Sequence, residues 1–92
     1  MIKSGLIETL ANGQKHLELR DVELAVNMIL AHMADELSQG GRIEIRGFGA
    51  FSVRKRPGYM ARNPKTGGQV EISDRYGLHF KAGKPLLEMV NK

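Results

Sequence analysis

Two cations flank a proline in segment 62–67, which reads Arg-Asn-Pro-Lys-Thr-Gly. Asparagine, proline and glycine favour tight turns, and the segment lies midway between two strand-like runs, so it is predicted to form the tip of a long hairpin. At such a tip the cations can bind phosphates, and the stiff apolar ring of Pro64 can wedge between stacked bases. The simpler alternative is an ordinary turn proline at the second position of a type I turn.

Catalytic and metal-binding chemistry is not expected from the other motifs. The signature of penicillin-binding enzymes is matched by Lys65-Thr66-Gly67 and by the Ser-x-x-Lys run at 52–55. The latter motif would have to open a helix in a large domain, whereas here it lies on a predicted strand of a 92-residue chain. The three histidines show no metal-ligand spacing, and there is no cysteine. The sequence therefore predicts a protein without an enzymatic activity, a metal or a cofactor.

The net charge of +4 is concentrated in one part of the chain. Residues 42–65 carry seven cations and one anion, whereas residues 1–41 carry three cations and six anions. A positive segment on a near-neutral scaffold is typical of a protein that binds a polyanion. The alternative is a solvated charged face. Because most of the seven cations are arginines of one predicted hairpin, we favour a nucleic acid as the partner.

Size and composition favour one small domain, residues 1–92, that gains stability from a partner. A domain of this size buries only about 60 to 65 per cent of its unfolded surface. The absence of cysteine excludes disulfides and fits a reducing cytoplasm, so association with a second chain is the expected source of extra stability. No apolar run approaches the roughly 18 residues of a membrane span, and no signal peptide is recognised.

Local signals predict a helix near each end of the chain. Residues 4–12 form the first, with Ser4 as its N-cap and glycine at 13 as its end. Residues 84–91 form a short final helix with Pro85 in its first turn.

The longest helical pattern covers residues 19–38 and ends at the glycine pair 40–41. Its apolar residues follow the 3.6-residue period. The apolar stripe is wider than one short neighbouring helix can cover, so it predicts a core shared with a second chain.

Between these helices the apolar period changes to two. In residues 42–46 both isoleucines point one way and the three charged residues the other, which predicts a half-buried strand. Gly47-Phe48-Gly49 predicts a reversal, and residues 52–56 predict a second strand that is broken at 57–58 by a Pro-Gly pair. Residues from about 54 to 75 offer little apolar material for a core. They are predicted to form an extended two-stranded arm, mobile without a partner.

The chain resembles the bacterial histone-like DNA-binding family, HU and integration host factor, over essentially its whole length. The residues that carry the resemblance are the run Arg-Ile-Glu-Ile-Arg-Gly-Phe-Gly-Ala-Phe at 42–51, the tip segment 62–67 and His79-Phe80-Lys81. Within the family, Lys3-Ser4, the run His-Met-Ala at 32–34 and the run 43–46 favour a beta-type subunit of integration host factor over HU. The chain departs from the family pattern at Ala61, where glycine is usual.

The resemblance implies an α+β fold in an intertwined dimer. Two N-terminal helices and a short C-terminal helix form the base, beside a three-stranded antiparallel sheet and a β-ribbon arm. The dimer interface that we expect from the apolar stripe and the phenylalanines comprises Val22, Val26, Ile29, Met33, Leu37, Phe48, Phe51 and Phe80.

The resemblance also implies that the arms wrap the minor groove of double-stranded DNA and that Pro64 intercalates. Arg46 would be a minor-groove arginine that is oriented by Glu44. The full set of expected DNA-binding residues is Lys3, Ser4, Arg42, Glu44, Arg46, Arg54, Lys55, Arg56, Arg62, Asn63, Pro64, Lys65, Thr66, Arg75, Lys81 and Lys84.

Two functional expectations of the same class follow from the resemblance. One is a beta-type subunit that pairs with an alpha-type homologue and bends preferred sites in recombination, transcription and translation control, and replication. The other is a homodimeric HU-like nucleoid protein with low sequence preference. Both imply a location on the bacterial chromosome in the cytoplasm, and the Glu44–Arg46 pair favours the first.

Overall fold

Three helices and five strands make up an α+β fold, described by a computed structural model of residues 1–92. The residues fall into two compact units, 1–35 and 36–92. In chain order the elements are α1 (Lys3–Gly13), α2 (Leu19–Ser38), β1 (Ile43–Ile45), β2 (Gly49–Arg56), β3 (Tyr59–Arg62), β4 (Gln69–Ile72), β5 (Arg75–Ala82) and α3 (Lys84–Val90).

Helix α1 begins before the predicted cap. The N–H of Leu6 donates to the carbonyl oxygen of Ile2 at 3.0 Å, which makes Ile2 the N-cap residue and leaves the end without a side-chain cap. The prediction that Ser4 caps the helix is therefore wrong, because Ser4 already lies inside the first turn.

The core of the unit 1–35 is small and lies between α1 and α2. Ile7, Val22 and Val26 are its buried apolar residues, with exposed fractions of 6%, 6% and 7%. Val22 and Val26 are one helical turn apart, so they present one face to α1. These two residues of the expected dimer interface are thus already buried within one chain. Ile29, farther along the same stripe, is 60% exposed.

Helix α2 has the predicted bounds and ends at the predicted glycine pair. The N–H of Gly40 donates to the carbonyl oxygen of Leu37 at 3.0 Å, and that of Gly41 to the carbonyl oxygen of Glu36 at 2.9 Å. These two hydrogen bonds form a Schellman motif, which satisfies carbonyl groups that the last helical turn leaves free.

The unit 36–92 contains a three-stranded antiparallel sheet with the strand order β1-β2-β5. Strand β2 begins at Gly49, earlier than the predicted residue 52, because Gly49 pairs with Ile45 on one side and Ala82 on the other. The reversal is therefore confined to residues 46–48. Phe80 packs near Phe48 and Phe51, with ring centroids 5.5 and 4.8 Å apart, respectively.

A separate two-stranded ribbon, β3 and β4, extends the hairpin toward its tip. The predicted interruption is confirmed at Pro57 and Gly58, which belong to no strand. The final helix is confirmed with Pro85 in its first turn. None of the helices combines the length and the apolar content that crossing a membrane requires.

Candidate nucleic-acid interface

Strands β2 and β5 place most of their charged side chains on one face of the sheet and most of their apolar side chains on the other. Successive side chains of a strand alternate, and directly paired residues of neighbouring strands share a face. The register of the β2–β5 ladder therefore places Arg54, Arg56, Arg75 and Lys81 on one side of the sheet, here called the basic face. The other side carries the apolar residues Ile43, Phe51, Val53, Leu78 and Phe80.

Lys55 does not belong to the basic face. It pairs with Tyr76 in the ladder and so points to the side opposite its neighbours Arg54 and Arg56. Its ammonium group lies 3.3 Å from a carboxylate oxygen of Asp74. The three consecutive cations at 54–56 are thus divided between two surfaces.

An open groove of about 600 Å³ gathers another set of predicted cations. Arg42 and Arg46 line it from the β1 segment, and Lys81 and Lys84 line it from β5 and the start of α3. The N–H of Gly83 donates to the carbonyl oxygen of Phe48 at 2.8 Å, which fixes the two segments to each other. Four cations around one groove form a surface that attracts phosphate groups.

Glu44, which also lines this groove, contacts a different arginine from the expected one. Its carboxylate lies 3.7 Å from the guanidinium of Arg42, and both side chains are largely exposed. The expectation that Glu44 orients Arg46 stays a prediction. Arg42 and Arg46 are each two residues from Glu44, and both lie outside strand β1, Arg42 before it and Arg46 in the turn after it.

The tip is a closed turn held by its own backbone. The N–H of Asn63 donates to the carbonyl oxygen of Gly68, and the N–H of Gly67 donates to that of Asn63, both at 2.7 Å. The side-chain oxygen of Asn63 accepts a hydrogen bond from the N–H of Lys65 at 2.9 Å. Gly67 has φ of +73°, a conformation that glycine adopts without steric cost. Pro64 is therefore presented, exposed, on a preformed loop.

Side chains reinforce the same turn. The guanidinium Nε of Arg62 donates to the carbonyl oxygen of Gly67 at 3.3 Å, and the N–H of Gly68 donates to the hydroxyl of Thr66 at 3.3 Å. Arg62, Asn63 and Thr66 thus have a structural role in the tip as well as polar groups that a ligand can contact.

The remaining predicted residues line neither the groove nor the basic face. Lys3 and Ser4 are exposed in the first turn of α1, in the unit 1–35, and line neither the groove nor the basic face. Lys65 is exposed at the tip beside Pro64.

Two residues that lie near the interface were not predicted from the sequence. His79 lies on the basic face, opposite Ser52 in the ladder, and its spacing of two from Lys81 was the available signal. Asp74, on the returning leg of the hairpin, contacts Lys55 and Gly58 on the outgoing leg. Its signal was the pair Ser73-Asp74, turn-forming residues at about the same distance from the tip as the Pro-Gly pair at 57–58.

Known proteins match this chain along almost its full length. Residues 1–91 match the family model described as Bacterial DNA-binding protein. Proteins named integration host factor subunit beta from Marinomonas sp. (strain MWYL1) and Vibrio parahaemolyticus serotype O3:K6 are each 55% identical over 91 residues. These matches cover 99% of this chain, and 89% and 98% of the two relatives, respectively.

Solved structures share the fold. A chain of an Anabaena HU–DNA cocrystal structure is similar with a TM-score of 0.82 at 29% identity, covering 98% of this chain and 97% of that chain. A mutant HU from Thermotoga maritima is similar with a TM-score of 0.69 at 30% identity, covering 98% and 99%. With the family match, these similarities establish that the chain belongs to the bacterial DNA-binding protein family of HU and integration host factor.

Proposed function

We propose that the chain is a beta-type architectural subunit that bends double-stranded DNA from the minor groove. The observation that carries the proposal is the tip, where Pro64 is exposed on a turn closed by backbone and side-chain hydrogen bonds. A preformed turn presents the proline without having to become ordered when it binds. An apolar ring inserted at a base step unstacks that step and kinks the duplex.

Contacts of the basic face and the groove with DNA supply free energy that opposes the cost of bending. Unstacking a step costs a few kcal/mol, and smooth bending adds of order 1–6 kcal/mol. Contacts between phosphates and the arginines and lysines of these surfaces release counterions and offset that cost. Sequence preference is then read largely through the width and flexibility of the groove, with Arg46 adding a local contact.

The partner that we propose is an alpha-type homologue. The relatives named integration host factor subunit beta, at 55% identity, support this assignment. In the resulting intertwined dimer, the exposed apolar residues of α2 and of the sheet, such as Ile29 and Phe80, would be covered. The chain would act as part of the nucleoid in recombination, transcription and translation control, and replication, and it has no catalytic role in this proposal.

The second candidate is a homodimeric HU-like protein with little sequence preference. It is favoured by the similarity to solved HU chains over 98% of this chain. Native mass measurements of the purified chain, alone and with a candidate alpha-type subunit, discriminate between the two. A stable homodimer that binds random and preferred duplexes equally would contradict the beta-type assignment.

Bending itself is tested by energy transfer between dyes at the two ends of a short duplex. With the dimer at saturating concentration, we expect higher transfer than in free DNA. Binding without any increase in transfer would contradict the bending function, whichever dimer forms.

A further inference from the structure

The hairpin is interrupted on both of its legs, at positions that lie opposite each other. The long ladder ends where Arg56 pairs with Arg75, and the short ladder resumes where Tyr59 pairs with Ile72. Residues 57–58 and 73–74, here called the junction, lie between the two ladders. Because no ladder pairing crosses the junction, other contacts must set the direction of the distal ribbon, formed by β3 and β4, relative to the β2–β5 ladder.

Asp74 contacts the outgoing leg through both of its carboxylate oxygens. The N–H of Gly58 donates to Oδ1 at 2.6 Å, and Nζ of Lys55 lies 3.3 Å from Oδ2. The side chain of Asp74 therefore supplies the hydrogen bond that a backbone carbonyl would supply in a continuous ladder. One carboxylate joins the end of β2 to the start of the distal ribbon.

The two legs approach closely enough at the junction to exclude a side chain on Gly58. A Cβ atom at this position would overlap the carbonyl oxygen of Ile72 and lie 3.1 Å from the backbone nitrogen of Asp74. This close approach of the two backbones keeps the N–H of Gly58 within reach of the Asp74 side chain.

We propose that Asp74 is a positioning residue with two roles in the free protein. It fixes the direction of the distal ribbon, and it holds the Lys55 side chain. The carboxylate interacts with Lys55 as a DNA phosphate would, so it competes with DNA for this ammonium group. Lys55 then contributes to DNA binding only when Asp74 releases it. The consequence for DNA rests on the proposed bending function, whereas the contacts at the junction belong to the free protein.

The first test measures amide hydrogen exchange at Gly58 without DNA. Asp74→Ala removes the acceptor, and we expect exchange to become about fivefold faster. Asp74→Asn retains an oxygen acceptor and should stay within about twofold of the wild-type rate. Glu71→Gln, which removes a negative charge from the same arm, is the control and should not change the rate. Unchanged exchange in Asp74→Ala would overturn the positioning role.

The second test measures the salt dependence of DNA affinity. Asp74→Asn should make the slope of log affinity against log salt steeper by up to about 0.9, the value for one additional phosphate contact. The double variant Lys55→Gln with Asp74→Asn should return the slope to the wild-type value. Glu71→Gln controls for the change in net charge. Equal slopes for Asp74→Asn and Glu71→Gln would overturn the competition for Lys55.

The third test measures the bend. Asp74→Ala should broaden the single-molecule distribution of energy transfer across an end-labelled duplex at saturation, whereas Asp74→Asn should retain the narrow wild-type distribution. Identical distributions for Asp74→Ala and wild type would overturn the positioning role. A wild-type protein that does not bend DNA would contradict the proposed function instead, and the exchange rate of Gly58 would still decide whether Asp74 positions the arm.

Discussion

Arg56 lies directly opposite Arg75 at the last pairing of the β2–β5 ladder, so two like charges face each other where the arm begins. Like charges in this position destabilise a sheet by roughly 0.2–1 kcal/mol. The arrangement becomes favourable when a phosphate group lies between the two guanidinium groups. The pair therefore indicates a surface that binds a polyanion, although the repulsion lowers the stability of the free protein.

Replacing Arg56 with glutamine should stabilise the free protein and weaken DNA binding. The expected gain in the free energy of unfolding is roughly 0.2–1 kcal/mol, because the repulsion from Arg75 is removed. Urea denaturation measures the gain, and a DNA titration measures the loss of affinity. Lys15→Gln, an exposed cation between α1 and α2, is the control and should leave both quantities nearly unchanged. Lower stability of the Arg56 variant would contradict the repulsion.

Replacing Pro64 with alanine should reduce DNA bending more than DNA affinity. The phosphate contacts that we expect to dominate affinity remain, whereas the stiff ring that we propose as the wedge between bases is lost. Energy transfer across an end-labelled duplex, compared at matched occupancy, measures the bend. Pro85→Ala, in the first turn of α3, controls for the general loss of a proline. An unchanged bend in the Pro64 variant would refute the wedge.

Arg54 and Lys55 should differ in their effect on salt dependence, although they are adjacent in sequence. Arg54→Gln should flatten the slope of log affinity against log salt by about 0.9 for the lost phosphate contact. Lys55→Gln should change it much less, because Lys55 points away from the basic face and contacts Asp74. Equal effects of the two variants would show that the division of these cations between two faces does not persist on DNA.

Gly67→Ala should loosen the tip, whereas Gly68→Ala should not. Alanine at φ of +73° costs roughly 1–2 kcal/mol, whereas a Cβ at Gly68 would have only an ordinary contact, 3.5 Å from the Thr66 hydroxyl. Amide exchange at Asn63, whose N–H donates across the turn, should become about tenfold faster in the first variant only. We also expect a smaller bend for Gly67→Ala. Similar exchange rates in both variants would contradict the role of the left-handed residue.

Local signals in the sequence predicted most of the elements. The apolar period of α2, the glycine pair that ends it and the Pro-Gly pair that breaks the hairpin all depend on residues close to one another along the chain. The start of β2 was placed too late because Gly49 reads locally as part of a turn. Its pairing with Ile45 and Ala82 makes it a strand residue, and that pairing involves a segment 33 residues away.

The sequence by itself determined that the chain has a basic hairpin, a proline at its tip and alternating faces along each strand, because charge, turn chemistry and a period of two are local properties. Only the tertiary structure decided which residues meet. The strand register places Arg56 opposite Arg75. The close approach of the two legs at the junction places Asp74 in contact with Gly58 and Lys55. A slip of one residue would exchange the faces, so these contacts depend on long-range pairing that local propensity does not specify.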